Sequence, residues 1–234
     1  RGLGDVYKRQ NSANFGRADK GAAYMLHARL ALNSEVYTKG AVKDYQKAID
    51  YCNLLDGKYE LSKAEKNGYT GYEQVFMADN DQNVQAMKEI ILPIRQDGAK
   101  TKCYSGANYL VSSTRITGMP YIGTSNGWSC NFSRAALVKK FFSTIEDCPL
   151  ATEAAPKDAT EADIIALDKA AGTTTKDVQA KANDDRALFY SGCGGGLRKL
   201  QADQIAGFNS GLSIVKWSNI RTDGAATSHN EFPD

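Results

Sequence analysis

The sequence predicts a mainly α-helical fold in which a tetratricopeptide-like helical hairpin is joined to a large loop-rich region. Residues 17–55 contain two consecutive hydrophobic patterns with the spacing of helix faces. Residues 96–130 are instead dominated by glycine, serine, threonine and aromatic residues, a composition that interrupts both helices and strands. We therefore assign the hairpin to residues 11–58 and the loop-rich region to residues 59–234.

The first helical pattern begins after residue 17. Ala22, Leu26 and Leu30 follow one another at intervals of four residues, which places them on one face of a helix. Three further apolar residues widen that stripe: Ala23, Ala31 and Leu32. Because a surface helix turns its apolar stripe toward the core, the leucines are expected to be buried.

The second helical pattern is bounded by Gly40 before it and by Asp56-Gly57 after it. Its apolar positions are separated by alternating steps of four and three residues: Ala41, Tyr45, Ala48, Cys52 and Leu55. The cysteine of this series is accordingly expected to be a small core residue. The length of the two helices together suits a tetratricopeptide-type hairpin of roughly 34 residues.

The overall composition argues against several classes of function. The chain has 234 residues, of which 42% are hydrophobic and 24% are charged, and its formal net charge is +2. Because basic and acidic residues are nearly balanced, nucleic acid is not an expected partner. No uninterrupted apolar stretch approaches the roughly 18 residues of a membrane-spanning helix. The five cysteines are too scattered for the framework of a disulfide-rich domain.

Catalytic motifs are formally present but lie in unsuitable surroundings. Residues 123–127 match G-x-S-x-G with Ser125 at the nucleophile position, but the strand and the helix that this motif requires are missing around it. Residues 191–196 are rich in glycine yet lack the spacing of a phosphate-binding loop, so a flexible turn is expected. We therefore predict no catalytic residue and no cofactor, with a hydrolase that uses Ser125 as the enzymatic alternative.

Metal ligands are equally sparse. Asp79, Asp81 and Asn83 have the spacing that opens a calcium-binding loop, but the glycine and the glutamate that should follow are absent, so a solvated turn is expected. There are two histidines, and His27 is expected to be a packed or surface residue within a helix. The Asp184–Arg186 segment is expected to form a structural ion pair, and no metal site is predicted.

The segment RADKGAAYMLHAR, at residues 17–29, resembles a known family. With the later runs YQKAIDYCN and GKYEL, it is similar to the SusD/RagB family of outer-membrane nutrient-binding lipoproteins, whose first helical repeats contain such a run. The resemblance continues more loosely over most of residues 15–233, through GWSCNFSRAALVKKF, DDRALFYSG and GLSIVKWSNIR. It implies a SusD-like scaffold of helical repeats with short β-strands in the loop-rich region.

The residues and the resemblance together predict local structure in that region. Residues 89–94 and 211–221 fit short extended segments, and Ser133 is expected to cap a helix that runs to Phe142. Residues 149–183 are expected to form a surface insertion, since few of them demand burial. Residues 1–10 are expected to be a non-native leader, and the C-terminal repeats of the family are expected to be missing.

The resemblance implies a non-catalytic protein at the outer-membrane surface. Such a protein binds an oligosaccharide or another nutrient and delivers it to a SusC-like TonB-dependent outer-membrane transporter. It is attached to the membrane only through an N-terminal lipid anchor, which these residues do not include. The alternative from another class is a tetratricopeptide-type scaffold that binds a protein or peptide partner.

A candidate glycan site lies between residues 104 and 128. Sugars present flat C–H faces and a rim of hydroxyl groups, so a site for them needs exposed aromatic rings beside polar side chains. This stretch supplies both kinds of group: Tyr104, Asn108, Tyr109, Tyr121, Asn126 and Trp128. Core packing is an open alternative for the tryptophan, and Tyr190 and Trp217 are predicted to be structural.

Overall fold

The computed structural model of the chain describes residues 16–95, 107–115, 122–124, 127–128, 130–133, 135–144, 147–148, 175–190 and 212–225. These residues form two compact units. The first contains the described residues up to Val75 and residues 79–95, and the second contains Phe76–Ala78 and the described residues from 107 onward. The predicted leader and residues 149–174 of the predicted insertion lie outside the described residues.

The described part of the chain is mainly α-helical, as predicted, and contains one two-stranded sheet. In the first unit the helices are α1 (Lys20–Leu32), α2 (Ser34–Tyr37), α3 (Tyr45–Asn53), α4 (Gly71–Gln74) and α5 (Val84–Glu89). In the second unit they are α6 (Ala107–Thr114), α7 (Ala135–Val138) and α8 (Thr175–Ala182), with strands β1 (Phe189–Tyr190) and β2 (Ser213–Ile214). None of these helices combines the length and the hydrophobicity needed to cross a bilayer.

Two helices lie within the segment predicted to form the hairpin, with α1 packed against α3. The carboxylate of Asp19 caps the start of α1 by accepting a hydrogen bond from the amide of Ala22 at 2.9 Å. The predicted break at Gly40 is confirmed, because this glycine has a φ of 90°. However, α3 begins at Tyr45 rather than at Ala41. The amide of Val42 instead donates to the hydroxyl of Thr38, which holds the intervening residues in a loop.

The buried face of α1 is not the predicted one. Leu26 is 58% exposed and Leu30 is 47% exposed, whereas Ala28 and Ala31 are buried. The two helices approach through small residues, so the alanine face of α1 is the one that meets α3. At the start of α1, a Cβ on Gly21 would overlap with the hydroxyl of Tyr59, so this glycine permits a close approach.

Two expectations for side chains of the hairpin have different outcomes. Cys52 is exposed, so the prediction of a core cysteine is wrong. It lies one turn after Ala48, next to the last residue of α3, where the helix face that is buried at Ala48 is exposed. The prediction for His27 is confirmed, because this exposed ring stacks on Tyr51 with centroids 4.8 Å apart.

The remainder of the first unit is organised around Gln74, which is 0% exposed. Its side-chain nitrogen donates to the carbonyls of Ala64 and Tyr69 at 2.8 and 3.1 Å. Its side-chain oxygen accepts from Asn83 at 2.9 Å. Asn83 in turn caps α5 by accepting from the amides of Gln85 and Ala86. One buried amide therefore joins α4, the cap of α5 and the preceding turn.

The predicted turn at residues 78–83 is present, but it is not solvated as expected, because Asp79 and Asn83 are buried. The extended segment predicted at residues 89–94 is wrong. Glu89 is the last residue of α5, and residues 90–95 form no strand within the described structure. In place of a strand, the end of α5 supplies hydrogen-bond acceptors to the segment at residues 60–62. The side chain of Glu89 accepts from the amide of Ser62 at 2.8 Å, and the carbonyl of Lys88 accepts from the amide of Glu60.

In the second unit, β1 and β2 are antiparallel, with Phe189 opposite Ile214 and Tyr190 opposite Ser213. The predicted helix after Ser133 is shorter than expected and ends at Val138. Ser133 does not cap it. Its amide donates to the carbonyl of Leu212 at 2.7 Å, and its hydroxyl has no hydrogen-bond partner among the described residues.

One hydrophobic core lies between these segments of the second unit. Its buried members come from α7 and the residues after it, from α8, and from the two strands and the residues just before them: Val138, Phe142, Cys148, Val178, Ala187, Phe189 and Leu212. The rings of Phe141 and Phe189 meet edge to face, with centroids 5.4 Å apart. The end of the 149–183 stretch thus contributes a fully buried valine, which the sequence did not indicate.

The Gln74→Ala variant should lose about 2 to 4 kcal/mol of unfolding free energy, because two carbonyls and the Asn83 amide would be left without their buried partner. Urea denaturation monitored by circular dichroism measures this loss. Gln46→Ala is the matched control, since its exposed amide bonds only the exposed Asp50 in α3. An equally small effect of both substitutions would contradict this role of Gln74.

The predicted ion pair of Asp184 and Arg186 is confirmed, with Arg186 Nη2 2.7 Å from Asp184 Oδ2. The hydrogen bonds from the Arg186 side chain, with a smaller contribution from its amide, lower the pKa of Asp184 below its ordinary value. A carboxylate with a lowered pKa in the folded state stabilises the fold above its unfolded pKa. That contribution is lost as the pH falls through the folded value.

The Asp184→Asn variant should therefore be less stable than the parent at neutral pH by at most about 1 kcal/mol, because the pair is largely exposed. The difference should shrink below about pH 4, where the parent also loses the charge. Thermal melts between pH 7 and pH 3 test this. Asp185→Asn, at the exposed neighbouring carboxylate, should show no such convergence.

Candidate functional site

Two of the predicted site residues, Tyr109 and Trp128, lie together in the second unit. Their ring centroids are 5.9 Å apart and the ring planes are inclined at 54°. Tyr109 is 41% exposed and Trp128 is 38% exposed. We call these two residues the aromatic pair. The open alternative for Trp128, burial in the core, is excluded by this exposure.

The end of α6 holds Trp128 in place. The last carbonyl groups of a helix have no partner within the helix and must be satisfied by other groups. Here the carbonyl of Ser112 accepts from the amide of Trp128 at 2.8 Å. The carbonyl of Ser113 accepts from the amides of Cys130 and Asn131, both at 2.9 Å. The backbone amides of Trp128, Cys130 and Asn131 therefore complete the C-terminal end of the helix that carries Tyr109.

Side chains reinforce this contact. The Asn131 side-chain amide donates to the hydroxyl of Ser113 at 2.7 Å. Gly127, immediately before the tryptophan, lies so close to α6 that a Cβ there would be 2.8 Å from the carbonyl oxygen of Arg115. Glycine is therefore needed for the chain to pass the end of the helix at this distance.

A small hydrophobic cluster lies beneath α6. Val111 and Ile122 are its buried members, and Phe132, Tyr190, Val215 and Trp217 pack against them. The prediction that Tyr190 and Trp217 are structural is thus confirmed. The Lys216 ammonium lies 4.1 Å from the centroid of the Phe76 ring, which adds a cation–π contact to the same unit.

Gly123 fixes the position of Ile122 in this cluster. The carbonyl of Ile122 accepts from the amide of Asn219 at 2.8 Å. Gly123 itself has a φ of 87°, and a Cβ there would lie 2.6 Å from the carbonyl carbon of Asn219. The first glycine of the G-x-S-x-G match thus allows a close backbone contact, and its Ser125 lies outside the described residues.

The other predicted site residues are described only in part. Tyr104, Tyr121 and Asn126 lie outside the described residues, and Asn108 lies in α6 next to Tyr109. Residues 191–196 are also outside them. Within the described ranges, no group of three His, Cys, Asp or Glu side chains is arranged to hold a metal ion.

Ser113 and Asn131 were not predicted from the sequence. The two residues are separated by 18 positions, and neither belongs to a motif. The one signal for them was the run of hydroxyl residues at positions 112–114, which is unusual at the end of an apolar helix. Such residues commonly bond to neighbouring backbone or side-chain groups.

The described part of the chain is thus a helix-rich framework that presents two exposed aromatic rings in mutual contact. The chain is 52% identical over 235 residues to the starch-binding protein SusD of Bacteroides thetaiotaomicron, strain VPI-5482, and the match covers 98% of this chain. The chain belongs to the SusD-like family, which confirms the resemblance inferred from residues 17–29. It spans 41% of the length of that relative. No protein-family model matches the chain.

Replacement of Gly123 by alanine should destabilise the second unit strongly. A left-handed conformation costs a residue with a Cβ roughly 1 to 2 kcal/mol. The matched control is Gly224→Ala, since Gly224 has a φ of 86° but a Cβ there would meet no atom within 4 Å. The Gly123 variant should lose roughly 1 to 3 kcal/mol more than the control, because its Cβ would meet the Asn219 backbone. Urea denaturation provides the comparison, and equal losses would contradict the close contact.

Proposed function

We propose that this protein binds starch-type glucan oligosaccharides without catalysis and that Tyr109 and Trp128 supply the rings on which the sugars stack. The observation that carries the proposal is the exposure of two rings in contact, in a chain 52% identical to a starch-binding protein. Pyranose rings present apolar C–H faces that bury well against aromatic surfaces. An exposed aromatic pair is therefore a natural platform for them.

The backbone of the aromatic pair is held in place, which supports a role of the two exposed rings in ligand binding. Affinity is higher when fewer side chains and loops have to become ordered on ligand binding. The amide of Trp128 is bonded to the carbonyl of Ser112, and Tyr109 is carried by the same helix. The platform is thus fixed to α6 before any sugar binds, which reduces the entropic cost of association.

We include the other predicted residues in the proposed site. Tyr104 and Tyr121 would extend the stacking surface, and the amides of Asn108 and Asn126 would bond sugar hydroxyl groups. The sequence supports this assignment, because all of them lie within 24 positions of one another, between residues 104 and 128. Aromatic rings beside amide groups are the combination that sugar recognition requires.

Membership of the SusD-like family supports a proposal for the wider role. We infer a nutrient-binding lipoprotein of the outer-membrane surface, held there by a lipid anchor, that passes oligosaccharides to a SusC-like TonB-dependent transporter. The helical hairpin of α1 and α3 would belong to its tetratricopeptide-like scaffold. Copurification of the protein with a coexpressed SusC-like transporter tests the partnership, and failure of the two to associate under conditions that preserve the transporter would contradict it.

Binding to glucans can be tested by isothermal titration with maltoheptaose and by affinity electrophoresis in gels that contain amylopectin. The parent chain should bind both. Trp128→Ala and Tyr109→Ala should each weaken binding about tenfold or more, because each removes one stacking surface. Trp128→Phe should lose less, since a smaller ring remains.

Tyr37→Ala is the matched control, because this tyrosine of the first unit is also exposed, at 65%. It should leave the affinity unchanged, and circular dichroism should show that every variant is folded. Unchanged affinity of the Trp128 and Tyr109 variants would remove the aromatic pair from the site. Absence of glucan binding by the parent chain, together with a stable protein partner other than a transporter, would favour a protein-binding scaffold instead.

A further inference from the structure

A hydrogen bond between the side chains of Ser113 and Asn131 connects the two segments that carry the aromatic pair. Ser113 lies one helical turn after Tyr109 in α6, and Asn131 lies three residues after Trp128. The Asn131 side-chain amide donates to the Ser113 hydroxyl at 2.7 Å. Residues four apart in a helix share a face, so this bond is made on the side of α6 that carries Tyr109.

We propose that Ser113 and Asn131 are positioning residues that set the distance and inclination between Tyr109 and Trp128, and through them the affinity for glucan. This inference rests on the proposed function, since it concerns the same site. Neither residue needs to contact the sugar itself. Their effect is transmitted through the placement of the Trp128 ring.

The backbone bonds alone do not define this placement. The carbonyl of Ser113 is shared by the amides of Cys130 and Asn131, so both donors converge on a single atom. With the hydrogen bond from Trp128 to Ser112, the backbone is attached at two neighbouring carbonyl oxygens, and a segment held at two points can still turn about the line that joins them. The Asn131 side chain adds a third attachment, on the Ser113 hydroxyl, which restricts that rotation.

The position of the bond also favours a precise role. Ser113 is fully buried, and its hydroxyl can donate to the carbonyl of Leu110 while it accepts from Asn131. The hydrogen bond from Asn131 is partly buried, so water competes with it less than with an exposed one, and linked hydrogen bonds of this kind favour a single geometry. Loss of either partner removes this third attachment, so the tryptophan ring should shift more freely relative to the tyrosine.

The test uses the full 234-residue chain and isothermal titration with maltoheptaose. Ser113→Ala and Asn131→Ala should each weaken binding about tenfold, a loss that corresponds to one buried hydrogen bond. The double variant should bind maltoheptaose no more weakly than the single variant with the lower affinity, because both substitutions break the same hydrogen bond. Asn131→Asp should restore most of the affinity, since the Ser113 hydroxyl can turn and donate to the carboxylate.

Gln179→Ala is the control for a general loss of stability. Gln179 is also a buried amide of the second unit, and its side chain donates to the carbonyl of Asp185 at 2.8 Å in the other hydrophobic core. This variant should melt at a lower temperature but bind maltoheptaose like the parent. If the Gln179 variant loses as much affinity as the Asn131 variant, the hydrogen bond between Asn131 and Ser113 affects binding only through general stability, and the proposal is overturned.

A second measurement reports the ring position without a ligand. The chain has two tryptophans, so labelling with 5-fluorotryptophan gives one ¹⁹F resonance for Trp128 and one for Trp217. Ser113→Ala and Asn131→Ala should shift or broaden the Trp128 resonance and leave that of Trp217 unchanged. Movement of neither resonance, or of both equally, would overturn the positioning role.

The two measurements separate this inference from the proposed function. If the parent chain binds glucan and Trp128→Ala abolishes binding while Asn131→Ala does not, only the positioning role fails. If the parent chain binds no glucan, the proposed function fails and the link to affinity fails with it. In that case the ¹⁹F spectra still decide whether Ser113 and Asn131 place the Trp128 ring.

Discussion

The need to satisfy the backbone groups at helix ends governs how this chain is built. Its described helices contain between 4 and 13 residues, so the ends make up a large share of each helix. Every helix leaves four amides and four carbonyls without internal partners, and burial of such groups is costly. The structure meets this demand with side chains at helix starts and with neighbouring backbone at helix ends. Many of its tertiary contacts are consequences of that requirement.

The two units meet the requirement in different ways. In the first, Asp19, Thr70 and Asn83 cap the starts of three helices through their own side chains. The side chain of Asn83, which caps α5, also donates to Gln74 at the end of α4, so the cap connects the two helices. In the second, the backbone amides of Trp128, Cys130 and Asn131 satisfy the end of α6, although they lie 14 or more positions after it in the sequence. This second solution brings a tryptophan beside the tyrosine of the helix.

This difference explains which parts of the structure the sequence could predict. Local features were predictable, namely the helix around residues 20–32, the break at Gly40 and the Asp184–Arg186 pair. The orientation of α1 was not, because it has apolar residues on both sides. A hydrophobic pattern identifies a helix but cannot choose between an alanine face and a leucine face. That choice depended on how closely α3 could approach, which periodicity does not report.

The same limit applies to the candidate site. Composition predicted Tyr109 and Trp128 among the candidate site residues, but it offered no reason to pair these two rings rather than others. The first unit contains a comparable aromatic group, in which Tyr51 stacks on His27 and lies beside Tyr24, and there the rings join α1 to α3. What distinguishes the second pair is that its contact leaves both rings exposed while their backbones are fixed. That property comes from the bonds to Ser112 and Ser113, which are separated in the sequence from the segment they hold. A binding platform of this kind is therefore defined by the attachment of its backbone as much as by its rings.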